Sequence, residues 1–200
     1  MRHGGKGLAG VLLSLSVLAQ AEQTTYGSGG SGVWSLGAGT RALALGSTAG
    51  LLAQDASVIT HNPAALALMR NGEAGFHHGL WDAGVAWDQA AAVLPLGASS
   101  ALGFSGALAS YGSFERANDL GDSIGSYEAS EALSALAYAH RFGDLALGGS
   151  GFMTRQTIDK DVLFGYAWAG GAVWKPLSYL SMASAVRAAT EGYAGGSFEG

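Results

Sequence analysis

From Gly72 onward the chain alternates between bulky and small residues. Between Leu163 and Lys175, Phe164, Tyr166, Trp168, Ala172 and Trp174 share one parity, while Gly165, Ala167, Ala169, Gly171 and Val173 share the other. Successive side chains of a strand point to opposite faces, so this spacing predicts a strand with one large, aromatic face and one small one. Leu102, Phe104 and Leu108 alternate in the same way with Gly103, Ser105, Ala107 and Ala109. Leu136, Tyr138 and Phe142 alternate with Ala135, Ala137, Ala139 and Arg141, and Leu180, Met182 and Val186 with Ser181, Ala183, Ala185 and Arg187. Turn signals separate these runs: Gly143-Asp144, Lys175-Pro176 and the long polar stretch from Glu115 to Glu131. A strand with its turn takes roughly 12–16 residues, so the part after Gly72 has room for about seven or eight strands.

Residues from Leu36 to about Arg70 have a different character, small and aliphatic with few β-branched side chains, which predicts short helices and turns. Asn62-Pro63 marks a helix start. An Asn side chain accepts from the free amides of a first turn, and proline at the first helical position lacks a donor that would be orphaned anyway. A short helix from Pro63 to about Met69 is expected.

Composition decides what the alternation means. Charged residues make up 12% of the 200, about half the roughly 25% usual for soluble domains, while glycine reaches 33 and hydrophobic residues 48%. A water-soluble β-sandwich also alternates, but its outward face carries Lys, Glu, Thr and Asn, and here the second face is Gly, Ala and Ser. Bulky residues toward lipid and small or polar ones toward a lumen suit a transmembrane β-barrel, in which strands satisfy one another's backbone groups. The alternative is an exported, water-soluble sandwich with a structural or adhesive role. Net charge is −5 with Lys and Arg scattered singly, which leaves no basic patch for nucleic acid. Cysteine is absent, so any exported fold is stabilised without disulfides.

The N-terminal segment has Arg2 and Lys6 before an apolar run from Leu8 to Leu18, then Ala19-Gln20-Ala21. This order predicts a signal peptide over residues 1–21, cleaved after Ala21. A flexible Gly/Ser-rich segment follows over 22–35, then a helical element over 36–71 and the strands over 72–200. The formal G-x-G-x-x-G match at Gly27, Gly29 and Gly32 has only the processed terminus before it, so it lacks the strand a dinucleotide fingerprint requires.

Candidate chemistry is sparse. Gly121-Asp122-Ser123-Ile124-Gly125 satisfies G-x-S-x-G, yet Ser123 lies between strand patterns rather than on a strand-to-helix elbow, and His140 is the only histidine after it. His77 and His78 are adjacent, so on a strand they point to opposite faces and cannot chelate together. Trp81, Trp87, Trp168, Trp174, Tyr111, Tyr166 and Tyr179 fall near strand ends, as core or as members of aromatic girdles at lipid headgroups. Neither catalytic, cofactor nor metal-ligating residues are expected.

Gly39-Thr40-Arg41-Ala42-Leu43-Ala44-Leu45-Gly46, followed by Gln54-Asp55-Ala56-Ser57 and Asn62-Pro63-Ala64-Ala65-Leu66, resembles the N-terminal region of the outer-membrane β-barrel family that includes the PorV/PorQ proteins and the long-chain fatty-acid transporter FadL. A weaker likeness covers GGAVWKPLSYLSMASAVRAAT. The resemblance implies an all-β antiparallel transmembrane barrel with a short helical N-terminal plug, to which Arg41, Asp55, Asn62, Pro63 and Ala64 belong. It also implies a non-enzymatic protein of the bacterial outer membrane. Its partners would be membrane lipid and either hydrophobic small molecules such as fatty acids or secretion-system proteins. Ala65 stands where the family's turn commonly has glycine. Family barrels have about fourteen strands, roughly twice the number that fits here, so the expectation is a partial barrel, from a fragment or from an unusually small relative.

Overall fold

The computed structural model describes residues 55–81, 84–177 and 180–192. Residues 1–54 lie outside this range, and with them the signal peptide, the Gly/Ser-rich segment, most of the 36–71 element and Arg41.

The described residues begin with helix α1 (Val58–His61) and a 3-10 helix (Pro63–Leu68), and the elements that follow these two are strands. The strands are β1 (Glu73–Leu80), β2 (Ala86–Pro95), β3 (Ser100–Ala117), β4 (Ser123–Phe142), β5 (Leu145–Ile158), β6 (Asp161–Leu177) and β7 (Leu180–Gly192). They form one seven-stranded antiparallel sheet in chain order. The described strands thus belong to one sheet rather than two stacked ones, and β1 and β7 are its edges among the described residues.

Two-residue turns close the β4–β5 and β5–β6 hairpins. Gly143, at φ 60°, opens the β4–β5 turn, a left-handed conformation that glycine adopts without strain. Asp159 holds φ 55° in the β5–β6 turn and accepts from Arg116 Nη2 at 2.6 Å.

Two turn expectations need correction. Glu115 to Glu131 is not one long loop: β3 runs to Ala117 and β4 starts at Ser123, so only residues 118–122 turn. Polar residues do not prevent strand pairing, which uses the backbone. Phe114 also stacks on Tyr127 at 5.4 Å, with the Arg116 guanidinium 5.7 Å from the Tyr127 ring. Asn118 Oδ1 accepts from Leu120 N at 3.0 Å and Asp122 N at 2.8 Å and shapes the tip. Likewise Lys175-Pro176 is not the β6–β7 turn. Proline, which has no N–H to donate, is accommodated where the register shifts between Trp174 and Leu177, and Leu177 pairs with Leu180.

The period-two pattern separates the faces as expected. Leu108, Leu136 and Trp168 are 62%, 54% and 55% exposed, on the face that also carries Phe104, Tyr138, Met153, Tyr166 and Val186. Ala101, Ala137, Ala139, Ala146 and Val173 point the other way and are buried. Trp87 and Tyr111 sit on this inner face, not on the exposed aromatic one: Trp87 is 4% exposed and Tyr111 packs against the core.

Candidate functional site

The helical segment lies on the inner face of the sheet, and its local structure follows from the polar residues singled out in the sequence. Asp55 Oδ1 accepts from Ser57 N at 2.9 Å and from Ser57 Oγ, so the carboxylate closes a turn rather than facing a reactant. Thr60 Oγ1 donates back to Ser57 O at 3.0 Å. Asn62 is the N-cap of the 3-10 helix, with Oδ1 accepting from Ala64 N at 3.1 Å and Pro63 beginning the first turn. The helix closes through i to i+3 bonds, Ala65 N to Asn62 O at 3.1 Å and Met69 N to Leu66 O at 3.1 Å, and ends at Leu68.

Small residues on the inner face let this segment come close. A Cβ on Gly148 would stand 2.6 Å from Ala64 N and 2.7 Å from Pro63 O, and one on Gly171 would overlap the Asn62 carboxamide. A Cβ on Gly103 would meet Ile59 Cγ1 at 2.8 Å. Ile59 and Leu66, both fully buried, fill the space these glycines leave. The small face is therefore a seat, matched to the backbone of the helices.

Both edges of the sheet reach the segment. From β1, Glu73 Oε1 accepts from Ala56 N at 3.2 Å. From β7, Arg187 Nη2 donates to Thr60 O at 2.6 Å, placing a cation against the C-terminal carbonyls of α1, where the helix dipole favours it. Asn62 Nδ2 makes longer bonds to Ala172 O at 3.4 Å and Ser184 O at 3.5 Å. Strands at opposite ends of the strand order can touch one short segment only if the sheet curls around it.

Farther along the same face is a polar cluster. Glu131, 3% exposed, accepts from Tyr111 Oη at 2.9 Å and Gln156 Nε2 at 2.9 Å. Gln89 Nε2 donates to Ser105 Oγ at 3.3 Å. Among the described residues no group of three His, Asp or Glu is placed to hold a metal ion. Ser123 is exposed at the start of β4, and His140 stands near the other end of that strand, ~55 Å away along an extended chain, bonded to Ser100 Oγ at 2.7 Å. They do not form a catalytic pair. His77 and His78 do face opposite ways, and His78 Nδ1 lies 2.7 Å from Asp88 Oδ1.

Sequence reasoning singled out Asp55, Asn62, Pro63 and Ala64, which the fold brings together in one segment, and named Tyr111 only as a core or girdle aromatic, but gave no role to Glu73, Glu131, Gln156 or Arg187. A signal for two of these was present: Arg187 and Glu131 are charged residues at the parity of a run of small ones, where a charge needs a partner.

No family model matches the chain, and neither a curated protein nor a solved structure does.

Proposed function

We propose that this chain forms a wall segment of an outer-membrane β-barrel of the FadL/PorV type, a non-enzymatic protein that passes hydrophobic small molecules such as fatty acids along its inner face. The observation that carries the reading is the exposed face of the sheet. Rows of Leu, Phe, Trp, Tyr, Met and Val face solvent across neighbouring strands, while the smaller side chains opposite are buried. Contiguous apolar surface of that extent is rare on a soluble monomer and suits contact with hydrocarbon. On β5 the outward positions from Leu145 to Met153 carry no charge and the next is Arg155, which leaves about ten residues, the length a tilted strand needs to cross a bilayer core.

In this reading the helical segment is a plug. Its attachment is non-covalent: hydrogen bonds accepted by Glu73 and donated by Asn62 and Arg187, and apolar contact through Ile59 and Leu66. Transport then needs no chemical step, since an apolar solute partitions into an apolar passage once the plug shifts.

Lipid insertion is tested by flotation with liposomes and by heat-modifiable migration on a gel, and a chain that stays monodisperse without detergent and does not float sinks the reading. The plug is tested by locking it. The chain has no cysteine, and the close approach of Gly103 to Ile59 puts an Ile59→Cys, Gly103→Cys pair within disulfide reach. Oxidation is expected to stop fatty-acid uptake into proteoliposomes and reduction to restore it.

A further inference from the structure

The exposed face is not uniformly bulky. Two grooves cross it side by side, sharing Asp88, Leu108, Ala132 and Arg155. The first, of about 430 Å³, is apolar: Gly106 and Ala132 form part of its floor, and Phe76, Met153 and Phe164 part of its walls. The second lies one step along the strands and is lined by Ser110, Ser130 and Thr157. An apolar trough thus opens into a hydroxyl-lined one, with an acid and a base at the junction.

Register sets the acid and the base in one row. Asp88 pairs with Leu108, Leu108 with Ala132 and Ala132 with Arg155, so they stand on β2 and β5 with two apolar residues between them. Three inter-strand steps separate their backbones by roughly 14 Å. The Asp88 carboxylate is turned to His78 on β1, so the acid and the base stay apart, and a phosphate joined through two carbons to an ammonium, with a hydrogen bond at each end, can bridge them. Asp88 is bonded to His78, and Arg155 has no carboxylate within ion-pair distance among the described residues.

We propose that this junction binds one phospholipid with a phosphoethanolamine head. The phosphate lies on Arg155 and the nearby hydroxyls, the primary ammonium donates to Asp88, and an acyl chain fills the trough over Gly106. A guanidinium binds phosphate through paired N–H donors, and a carboxylate accepts from a primary ammonium but cannot accept a hydrogen bond from a quaternary one. The site therefore prefers phosphatidylethanolamine to phosphatidylcholine, and Asp88 disfavours a head that carries only negative charge. The proposal rests on the reading that this face contacts lipid.

The test reconstitutes the full chain in vesicles of equal parts phosphatidylethanolamine, phosphatidylcholine and phosphatidylglycerol, extracts it in mild detergent and measures the retained lipid by mass spectrometry. Phosphatidylethanolamine should be enriched about fivefold over phosphatidylcholine. Asp88→Asn should abolish that preference, and Arg155→Gln should lower retention of the lipid several-fold. Gly106→Phe should empty the trough: a Cβ there meets only Leu133 O, at 3.8 Å, so the ring can occupy the groove without displacing backbone. Equal retention of all three lipids, a preference for phosphatidylglycerol, or variants that retain lipid like the parent would overturn the site. Liposome flotation, read separately, distinguishes the two failures. A chain that floats but retains no lipid selectively loses only this inference, whereas one that does not float loses the membrane reading with it.

Discussion

Gly148 and Gly171 have no side chain where the helical segment comes closest to the sheet. A methyl group at Gly148 meets the backbone of Pro63 and Ala64, which cannot rotate away as a flexible side chain would. Gly148→Ala and Gly171→Ala are each expected to destabilise the protein by about 1–3 kcal/mol, as overpacking does. Gly151, with open space around its Cβ position, is the control: Gly151→Ala should stay within about 0.5 kcal/mol, and urea unfolding in detergent compares the three. At Asn62 two functions of one side chain can be separated. Asn62→Ala loses the cap and should cost about 1 kcal/mol. Asn62→Asp keeps an oxygen for Ala64 N but lacks the amide donor toward Ala172 O and Ser184 O, so its loss reports the tie to the strands.

Each strand carries two messages, one per face, and β4 shows both along its length. Its lower part presents Leu136 and Tyr138 outward and buries Ala135, Ala137 and Ala139, while its upper part, from Ser123 to about Ser130, is exposed and polar. If the lower part crosses hydrocarbon, Leu136→Arg should weaken insertion by roughly 2–4 kcal/mol, the cost of a cation near the bilayer midplane. Ser126→Arg, in the polar upper part, should leave insertion unchanged. Flotation of the two variants decides: equal flotation would show that this face does not meet lipid. The upper hairpin depends little on its ion pair, because Arg116 and Asp159 are both partly exposed. Arg116→Ala should therefore change stability by about 0–1 kcal/mol in the same urea titration.

At the scale of the molecule, the helical segment packs on the inner face, where the buried side chains gather, and the bulky side chains of the outer face stay exposed. The helical segment is tied to β1 through Glu73 and to β7 through Arg187, so the curl of the sheet and the seating of the segment support each other. The edge strands β1 and β7 have no strand partner beyond the sheet among the described residues, and an open edge is a template for pairing with other chains. Without detergent or lipid, the combination of bare edges and an apolar face should drive the chain into large assemblies in sedimentation velocity, with detergent restoring a single small species. A monodisperse species in plain buffer would contradict this.

Strand positions and the division into a bulky and a small face were legible in residue order, because side chains of a strand alternate whatever the strand packs against. The helix start at Asn62-Pro63 was equally local, a matter of one side chain and the next amide. Composition did not reveal why the small face is small. Gly103, Gly148 and Gly171 are far apart in the chain, and only pairing brings them under Ile59, Pro63 and Asn62. The partners of Arg187 and Glu131 were hidden for the same reason, since Thr60 and Tyr111 become neighbours through folding. Trp87 and Tyr111 were open to two placements because an aromatic ring at a strand end suits a lipid interface or a core equally well, and register chose the core side. Alternation follows from the stereochemistry of the extended chain, whereas contacts between distant residues depend on how the sheet curls, which no single stretch of sequence specifies.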